Sequence, residues 1–207
     1  MWSLAERVLR EALDDLGLAY KEGLGDAAFY GPKLDIQLAD VMGHEETYST
    51  IQIDFHLPNR FELAYTGSDG HEHRPVMIHR AIISTMERMV SYLIELYGGA
   101  FPVWLAPVQA IVLPIADRQN EYARKVHADL LAAGIRAEID DRSDKVNAKI
   151  REAQLQKIPY MLVIGARESE SGTVAVRRRA GEELGAMPVA AFVAHVRDLV
   201  ARRSNEL

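Results

Sequence analysis

The 207-residue chain is 48% hydrophobic and 26% charged, a globular balance that excludes a disordered chain. A net charge of -6 excludes a wholesale nucleic-acid coat while leaving room for a local basic site. Cysteine is absent, which excludes disulfides and thiolate metal ligands, and no apolar run reaches the roughly 20 residues that a membrane-spanning helix needs.

The first residues, Met1 to Arg7, mix acidic and basic groups and do not read as a signal peptide. A cytoplasmic protein is the expectation. Leu4, Val8, Leu9, Ala12, Leu13 and Leu16 recur at helical spacing, so a helix is predicted over 3–17, with Ser3 at its start and Gly17 at its end. Gly23, Gly25 and Gly31-Pro32 mark a turn-rich loop. Leu34, Ile36 and Leu38 alternate with polar neighbours, which predicts a half-buried strand.

A second strand is predicted over Thr47–Phe55. Alternation puts Tyr48, Thr50, Gln52 and Asp54 on one face and Ser49, Ile51, Ile53 and Phe55 on the other. One face is therefore a row of hydrogen-bonding groups. Phe61–Tyr65 reads as another strand, and Asp69-Gly70 as a hairpin turn into a strand over His73–Ile78. A long helix follows over 80–97, its stripe formed by Ile78, Ile82, Met86, Met89, Val90 and Leu93. Thr85 and Arg88 are three apart, hence neighbours on that helix. Strands joined by short turns and covered by helices predict an α+β half with an antiparallel sheet.

Gly98-Gly99 ends the helix, and Pro102 and Pro107 punctuate a connector. The pattern then changes. Ala110–Ile115 reads as a buried strand and Arg118–Ala133 as a helix with Asp117 as its cap. Ile135–Ile139 is a strand, and Ser143–Lys157 a helix capped by Ser143. Tyr160–Ile164 and Thr173–Arg178 are strands, and Val189–Arg203 is the last helix. This alternation predicts an α/β half with a mixed, mainly parallel sheet covered by helices. Two domains are expected, 1–105 and 106–207.

Arg88, carried on a packed helix, presents a guanidinium suited to a phosphate. Lys33, beside Gly31-Pro32, could reach a phosphate as a mobile point charge. In the second half, Arg142, Lys145, Lys149, Arg151, Lys157, Arg177, Arg178 and Arg179 cluster in an otherwise acidic chain. Arg142 to Lys145 lead into a helix N-terminus, where backbone N–H groups also favour phosphate. Arg177 lies on a strand from which it could meet a splayed base.

Four separated blocks, Phe29–Asp35, Ser49–Phe55, Arg74–Ala81 and Trp104–Gln109, resemble the threonyl-tRNA synthetases, in that family's order and over essentially the whole chain. The resemblance is to the later half of a class II catalytic domain followed by an anticodon-binding domain. It implies ATP-dependent ligation of threonine to its tRNA, with Mg2+ and Zn2+ as cofactors and a homodimer in the full-length family. Arg88 matches the motif 3 arginine that contacts ATP phosphates, with Lys33, Thr50 and Thr85 at the nucleotide. Tyr30 and Gln52 match the amino-acid pocket. The glycine positions of the general motif 3 hold Ile82 and Ser84, and Thr47 stands where some members have Gln. His79 matches one of three zinc ligands, and the family's other two, a cysteine and a histidine, lie upstream of the matching region. Motifs 1 and 2 lie upstream as well, so the isolated chain is expected not to activate threonine. Arg142, Ser143, Lys145, Arg151, Glu168 and Arg177 match the tRNA-facing side of the second domain, with Ser143 replacing an asparagine of some members. The other reading is a free-standing RNA-binding or regulatory protein without catalysis.

Overall fold

The computed structural model describes residues 1–207, which divide into two compact units, Met1–Glu95 and Leu96–Leu207. In the first unit, helix α1 (Trp2–Asp15) precedes strands β1 (Lys33–Ala39) and β2 (Glu45–Asp54). A short helix α2 (His56–Arg60) follows, then β3 (Tyr65–Thr66), β4 (Glu72–His73) and β5 (Met77–Ala81). Helix α3 (Met86–Tyr97) ends the series. Strands β1, β2 and β5 form an antiparallel sheet in the order β1-β2-β5, and β3 pairs with β4 alone.

Three expectations are corrected here. The strand expected over Phe61–Tyr65 is present only from Tyr65, as the start of β3, because the chain turns into α2 directly after β2, where Asp54 Oδ1 accepts the amides of His56 and Leu57 at 2.8 and 2.9 Å. A carboxylate that satisfies the first free N–H groups of a turn starts it as an N-cap does. The strand expected over His73–Ile78 divides into β4 and β5. The helix expected from residue 80 begins at Met86, since β5 extends through Ala81 to complete its pairing with β2. Ile78 and Ile82 therefore leave the helical stripe. Thr85 ends the intervening loop, and its Oγ1 accepts the Arg88 amide at 3.3 Å, the N-cap arrangement for α3.

In the second unit, β6 (Ala110–Pro114), β7 (Ala137–Ile139) and β8 (Tyr160–Ile164) run parallel. Strands β9 (Thr173–Arg178) and β10 (Glu183–Pro188) run antiparallel and complete the order β10-β9-β8-β6-β7. Helices α4 (Asn120–Ala132), α5 (Val146–Leu155), α6 (Ala166–Ser171) and α7 (Val189–Ala201) connect and cover them. Every residue of β6 is buried, as the apolar run requires of a central strand covered on both faces. One cluster joins Val112, Val126, Leu130, Leu162, Phe192 and Val196, and the other joins Ile111, Leu113, Ala153 and Met161. β10 and α6 were not expected. β10 carries Gly185 and Pro188, which break the alternation that signals a strand, and α6 has only six residues.

The connector is fastened to this unit by polar contacts. Buried Gln109 donates from Nε2 to the Val103 carbonyl at 2.9 Å and accepts the Arg136 amide at 2.9 Å. The Arg136 guanidinium donates to the carbonyls of Trp104 and Ala106. No helix is long and apolar enough to cross a membrane.

Candidate functional site: a polar sheet face and a strand-end surface

The polar face of β2 is covered. Tyr48 and Asp54 are buried, and Thr50 and Gln52 are half-buried. Register builds the rest. Lys33 pairs with Gln52 and Asp35 with Thr50 across β1–β2, while Gln52 pairs with His79 across β2–β5. Partners directly opposite in a sheet share a face, so Lys33, Asp35, Thr50, Gln52 and His79 come together.

Tyr30 joins them from the loop before β1. Gly31 permits this: a Cβ there would overlap the Ile53 carbonyl oxygen. The close approach is sealed by the Ile53 amide donating to the Pro32 carbonyl at 3.1 Å. The Tyr30 hydroxyl then donates to Gln52 Oε1 at 2.6 Å, and its ring stands edge-on to His79 with centroids 5.8 Å apart. Lys33 Nζ donates to Asp35 Oδ2 at 2.5 Å, and Thr50 Oγ1 donates to Asp35 Oδ1 at 2.7 Å. The lysine, expected as a mobile charge, is thus held against a carboxylate.

Arg88 lies near the far end of β2. Its Nε is 3.5 Å from Glu46 Oε2, and Nη1 donates to the Thr47 carbonyl at 3.5 Å. Both distances are long, and the side chain is half exposed. The guanidinium is oriented but not consumed. Thr85, expected beside Arg88 on the helix surface, acts on the Arg88 amide as the cap. Ser84, at a motif 3 glycine position, has φ of +50°. That left-handed conformation favours glycine.

His79 Nε2 lies 2.9 Å from Asp54 Oδ2, and Asp54 is wholly buried. Burial pushes the Asp54 carboxyl up, but His79 and the amides of Leu57 and His56 outweigh it and hold the group below the usual carboxylate range. No group of three or more His, Asp or Glu residues gathers in a metal-holding arrangement anywhere in the chain. His79 with one carboxylate does not make the set of at least three protein ligands that zinc takes. The residues present do not fit a zinc site.

In the second unit, the loops after the parallel strands meet at one edge of the sheet. Adjacent β6 and β8 send their connections to opposite sides, which makes this edge the crevice where open α/β sheets bind ligands. Ser143 lies here, and its Oγ donates to Asp117 Oδ1 at 2.8 Å. Neither residue caps a helix as expected. Glu168 Oε2 accepts the Gly165 amide at 2.9 Å, fastening the start of α6, and the residue is only 9% exposed.

Most of the basic cluster is engaged, three of its members by carboxylates and three by backbone carbonyls. Arg142 donates to Asp140 at 2.9 and 2.8 Å and to Glu152 at 2.6 Å. Hydrogen bonds to Asp140 and then Glu152 raise its pKa further above the ordinary arginine value. Arg177 pairs with Glu183 at 3.2 Å and Arg178 with Glu182 at 2.6 Å. Lys149 is buried, its Nζ donating to the carbonyls of Pro114 and Asp140. Lys157 donates to the Gly98 carbonyl, and Arg179 to those of Ala100 and Phe101. Lys145 and Arg151 alone of the eight are exposed and unpaired. Composition cannot separate these fates, since each depends on which carboxylate or carbonyl the fold brings near. A groove of about 680 Å³ between α4 and α7, lined by Tyr122, Val126, Val189 and Val193 among others, contains none of the candidate residues.

The tRNA synthetase class II core domain family (G, H, P, S and T) matches residues 1–97, and the anticodon binding domain family matches residues 109–199. The chain belongs to the class II tRNA synthetases. Curated relatives at 52–56% identity are named threonine–tRNA ligase. The threonine–tRNA ligase of Lactobacillus helveticus is 56% identical over 184 residues, 88% of this chain and 29% of the relative. That of Symbiobacterium thermophilum is 53% identical over 206 residues, 100% of this chain and 32% of the relative. A crystal structure described as the RNA binding domain of threonyl-tRNA synthetase from Cryptosporidium parvum is 40% identical, with a TM-score of 0.88 over 95% of this chain and 50% of that one. The match is to the C-terminal portion of threonine–tRNA ligases, and the chain spans about 30% of the length of these curated relatives. This synthetase segment thus joins the sheet that gathers Tyr30, Lys33, Thr50, Gln52 and His79 to an anticodon-binding domain.

Proposed function

We propose that the chain serves as the C-terminal portion of a threonine–tRNA ligase, an enzyme that activates threonine with ATP and transfers it to tRNA(Thr). The gathering of Tyr30, Lys33, Thr50, Gln52 and His79 on one sheet face carries this reading. That face offers donors and acceptors of the kind that orient an amino acid and a nucleotide, and fixed orientation is much of what a ligase supplies to its reactants. Tyr30 and Gln52 would face the amino acid. Thr50, Thr85, Lys33 and Arg88 would face ATP, with Arg88 exchanging its long contact to Glu46 for phosphate oxygens. Mg2+ would accompany ATP as its counter-ion. His79 contributes one imidazole to the amino-acid side, and no step is assigned to zinc through this chain. In the second unit Ser143, Lys145, Arg151 and Arg177 would meet the anticodon loop. Arg142 and Glu168 are already engaged and would shape that surface. The working enzyme would be a homodimer in the cytoplasm.

The test is a chimera in which this chain replaces the matching C-terminal residues of the Symbiobacterium thermophilum relative. Threonine-dependent ATP–pyrophosphate exchange and charging of tRNA(Thr) are expected. A folded chimera that binds tRNA and lacks exchange would reject the ligase reading in favour of an RNA-binding module.

A further inference from the structure

One cation of the second unit is buried beneath the strand-end surface. Lys149 lies on the sheet-facing side of α5 beside buried Ala153, and it is 3% exposed. Its Nζ donates to the Pro114 carbonyl at 3.2 Å and to the Asp140 carbonyl at 3.0 Å. These carbonyls stand at the ends of the neighbouring parallel strands β6 and β7. The ladder between the strands stops here. The Asp140 amide donates to the Val112 carbonyl at 3.0 Å, and the next rung would join the Arg142 amide to the Pro114 carbonyl. That amide instead donates to Asp140 Oδ1 at 3.2 Å, so the lysine supplies the donor that the ladder no longer does. Burying an ammonium is costly unless its donors are satisfied. An apolar side chain of the same length would fill the space more cheaply and would leave both carbonyls without a donor.

The segments that leave these strand ends meet again at the surface. Ser143 Oγ donates to Asp117 Oδ1 at 2.8 Å, and Asn120 Nδ2 donates to the Asp141 carbonyl at 3.5 Å. Lys145 stands at the start of α5, and Arg151 is two residues beyond Lys149 and exposed. Two residues turn a helix by more than half a circle, so Lys149 is fixed to the sheet while Arg151 faces outward. We propose that Lys149 is a positioning residue for the RNA-facing surface. From beneath, it sets the spacing of the loops that carry Asp117 and Ser143 and the seat of α5, and so the placement of Ser143, Lys145 and Arg151. It touches no nucleotide. The inference rests on the proposed anticodon-binding role of this surface, whereas the anchoring itself is read without RNA.

The test uses the full 207-residue chain. Lys149→Met keeps the length of the side chain and removes its donors. Without RNA, amide hydrogen exchange should accelerate about tenfold over residues 140–145 and stay within about twofold in β8 and β9. Lys149→Met should lose about tenfold in affinity for the threonine anticodon stem-loop, the scale of one base-reading contact, and much less for a scrambled loop. The salt slope should not change, since no phosphate contact is removed. A lower slope would make Lys149 a phosphate contact, and faster exchange throughout the unit with equal weakening of both loops would make its role merely structural. Either result overturns the proposal. The chain contains no cysteine, so Lys149→Cys, alkylated with 2-bromoethylamine while unfolded, regains an ammonium at position 149 alone. Refolded, it should recover exchange protection and discrimination, and a folded product that recovers neither overturns the proposal. If Lys149→Met does not fold, 1H–15N spectra of the ammonium groups in the unsubstituted chain decide. The Lys149 ammonium should exchange its protons more slowly than that of Lys145 and keep its shift when the stem-loop is added. Exchange as fast as that of Lys145 would overturn the anchoring. Equal affinity of the unsubstituted chain for the two loops would instead reject the anticodon reading, and the exchange data would then judge the anchoring alone.

Discussion

The two units spend their apolar residues differently. Of the buried hydrophobic side chains only Ala5 and Tyr48 lie in the first unit, and the rest form the core of the second. In the second unit β6 is covered on both faces, and Phe192, Leu130 and Leu162 are inaccessible. In the first, Ile36, Ile78, Ile82 and Met86 are half exposed or more, while the carboxylate of Asp54 is wholly buried. Stability in the second unit therefore rests on burial of apolar area. Order in the first rests more on hydrogen bonds, each worth little net but costly to orphan. That difference fits the proposal of a ligand-organising face in the first unit.

The largest effect should separate the units outright. Phe192→Ala removes a side chain packed on Tyr160, with ring centroids 5.4 Å apart, and should cost about 3–5 kcal/mol in denaturant unfolding. Ile78→Ala, at a side chain 65% exposed, should stay within about 0.5 kcal/mol. Equal losses at the two positions would erase the contrast.

A methyl group at Gly31 should come next. It would strike the Ile53 carbonyl, and overpacking typically costs about 1–3 kcal/mol. Because the collision lies beneath Tyr30, Gly31→Ala should also loosen the Tyr30–Gln52 hydrogen bond. Unchanged tyrosine fluorescence and unchanged stability would count against the close approach.

A smaller effect is expected from pH, confined to the second unit. The Tyr160 hydroxyl lies 2.9 Å from His195 Nε2. Burial, and then the nearby Arg178 charge, push the His195 imidazole below its ordinary range, with Arg202 adding to the depression and Asp198 opposing it. The unfolded chain then binds the proton first as pH falls, so stability is complete above the ordinary histidine pKa and declines below it through the folded value. His195→Gln should flatten that decline in thermal melts, and an unaltered decline would remove His195 from the account.

The smallest effect should be at Ser84. Its left-handed φ is an uncommon conformation for a non-glycine residue. Ser84→Gly should relieve strain and gain at most about 1 kcal/mol, less the extra chain entropy of glycine. A clear loss by calorimetry would mean that the hydroxyl matters more than the backbone.

The sequence was legible where a pattern has one physical cause. The alternation of Thr47–Phe55 located β2 and its polar face, and the apolar run at Ala110–Ile115 located the buried central strand. Short elements governed by single side chains were not legible. Nothing in the pattern announces that Asp54 turns the chain into α2, or that Thr85 delays α3. Candidate residues on opposed strands were brought together as their alternation implies, since register follows from the pleat. The basic cluster misled, because charge counts do not reveal that Arg142 faces Asp140 and Glu152, or that Lys149 is buried. Asp54 carried a readable signal, a carboxylate at the end of a hydrogen-bonding face, but its partner His79 lies 25 residues away and only the fold joins them.

The most direct test of the account is a binding titration of the chain against the threonine anticodon stem-loop and a scrambled loop, at two salt concentrations. The account predicts tighter binding of the cognate loop, weakening with salt as phosphate contacts require. Arg177→Ala should cost on the order of 1–3 kcal/mol for the cognate loop and reduce discrimination, while Lys145→Ala should weaken both loops alike and lower the salt slope by about one. Equal affinity of the unsubstituted chain for the two loops would contradict it.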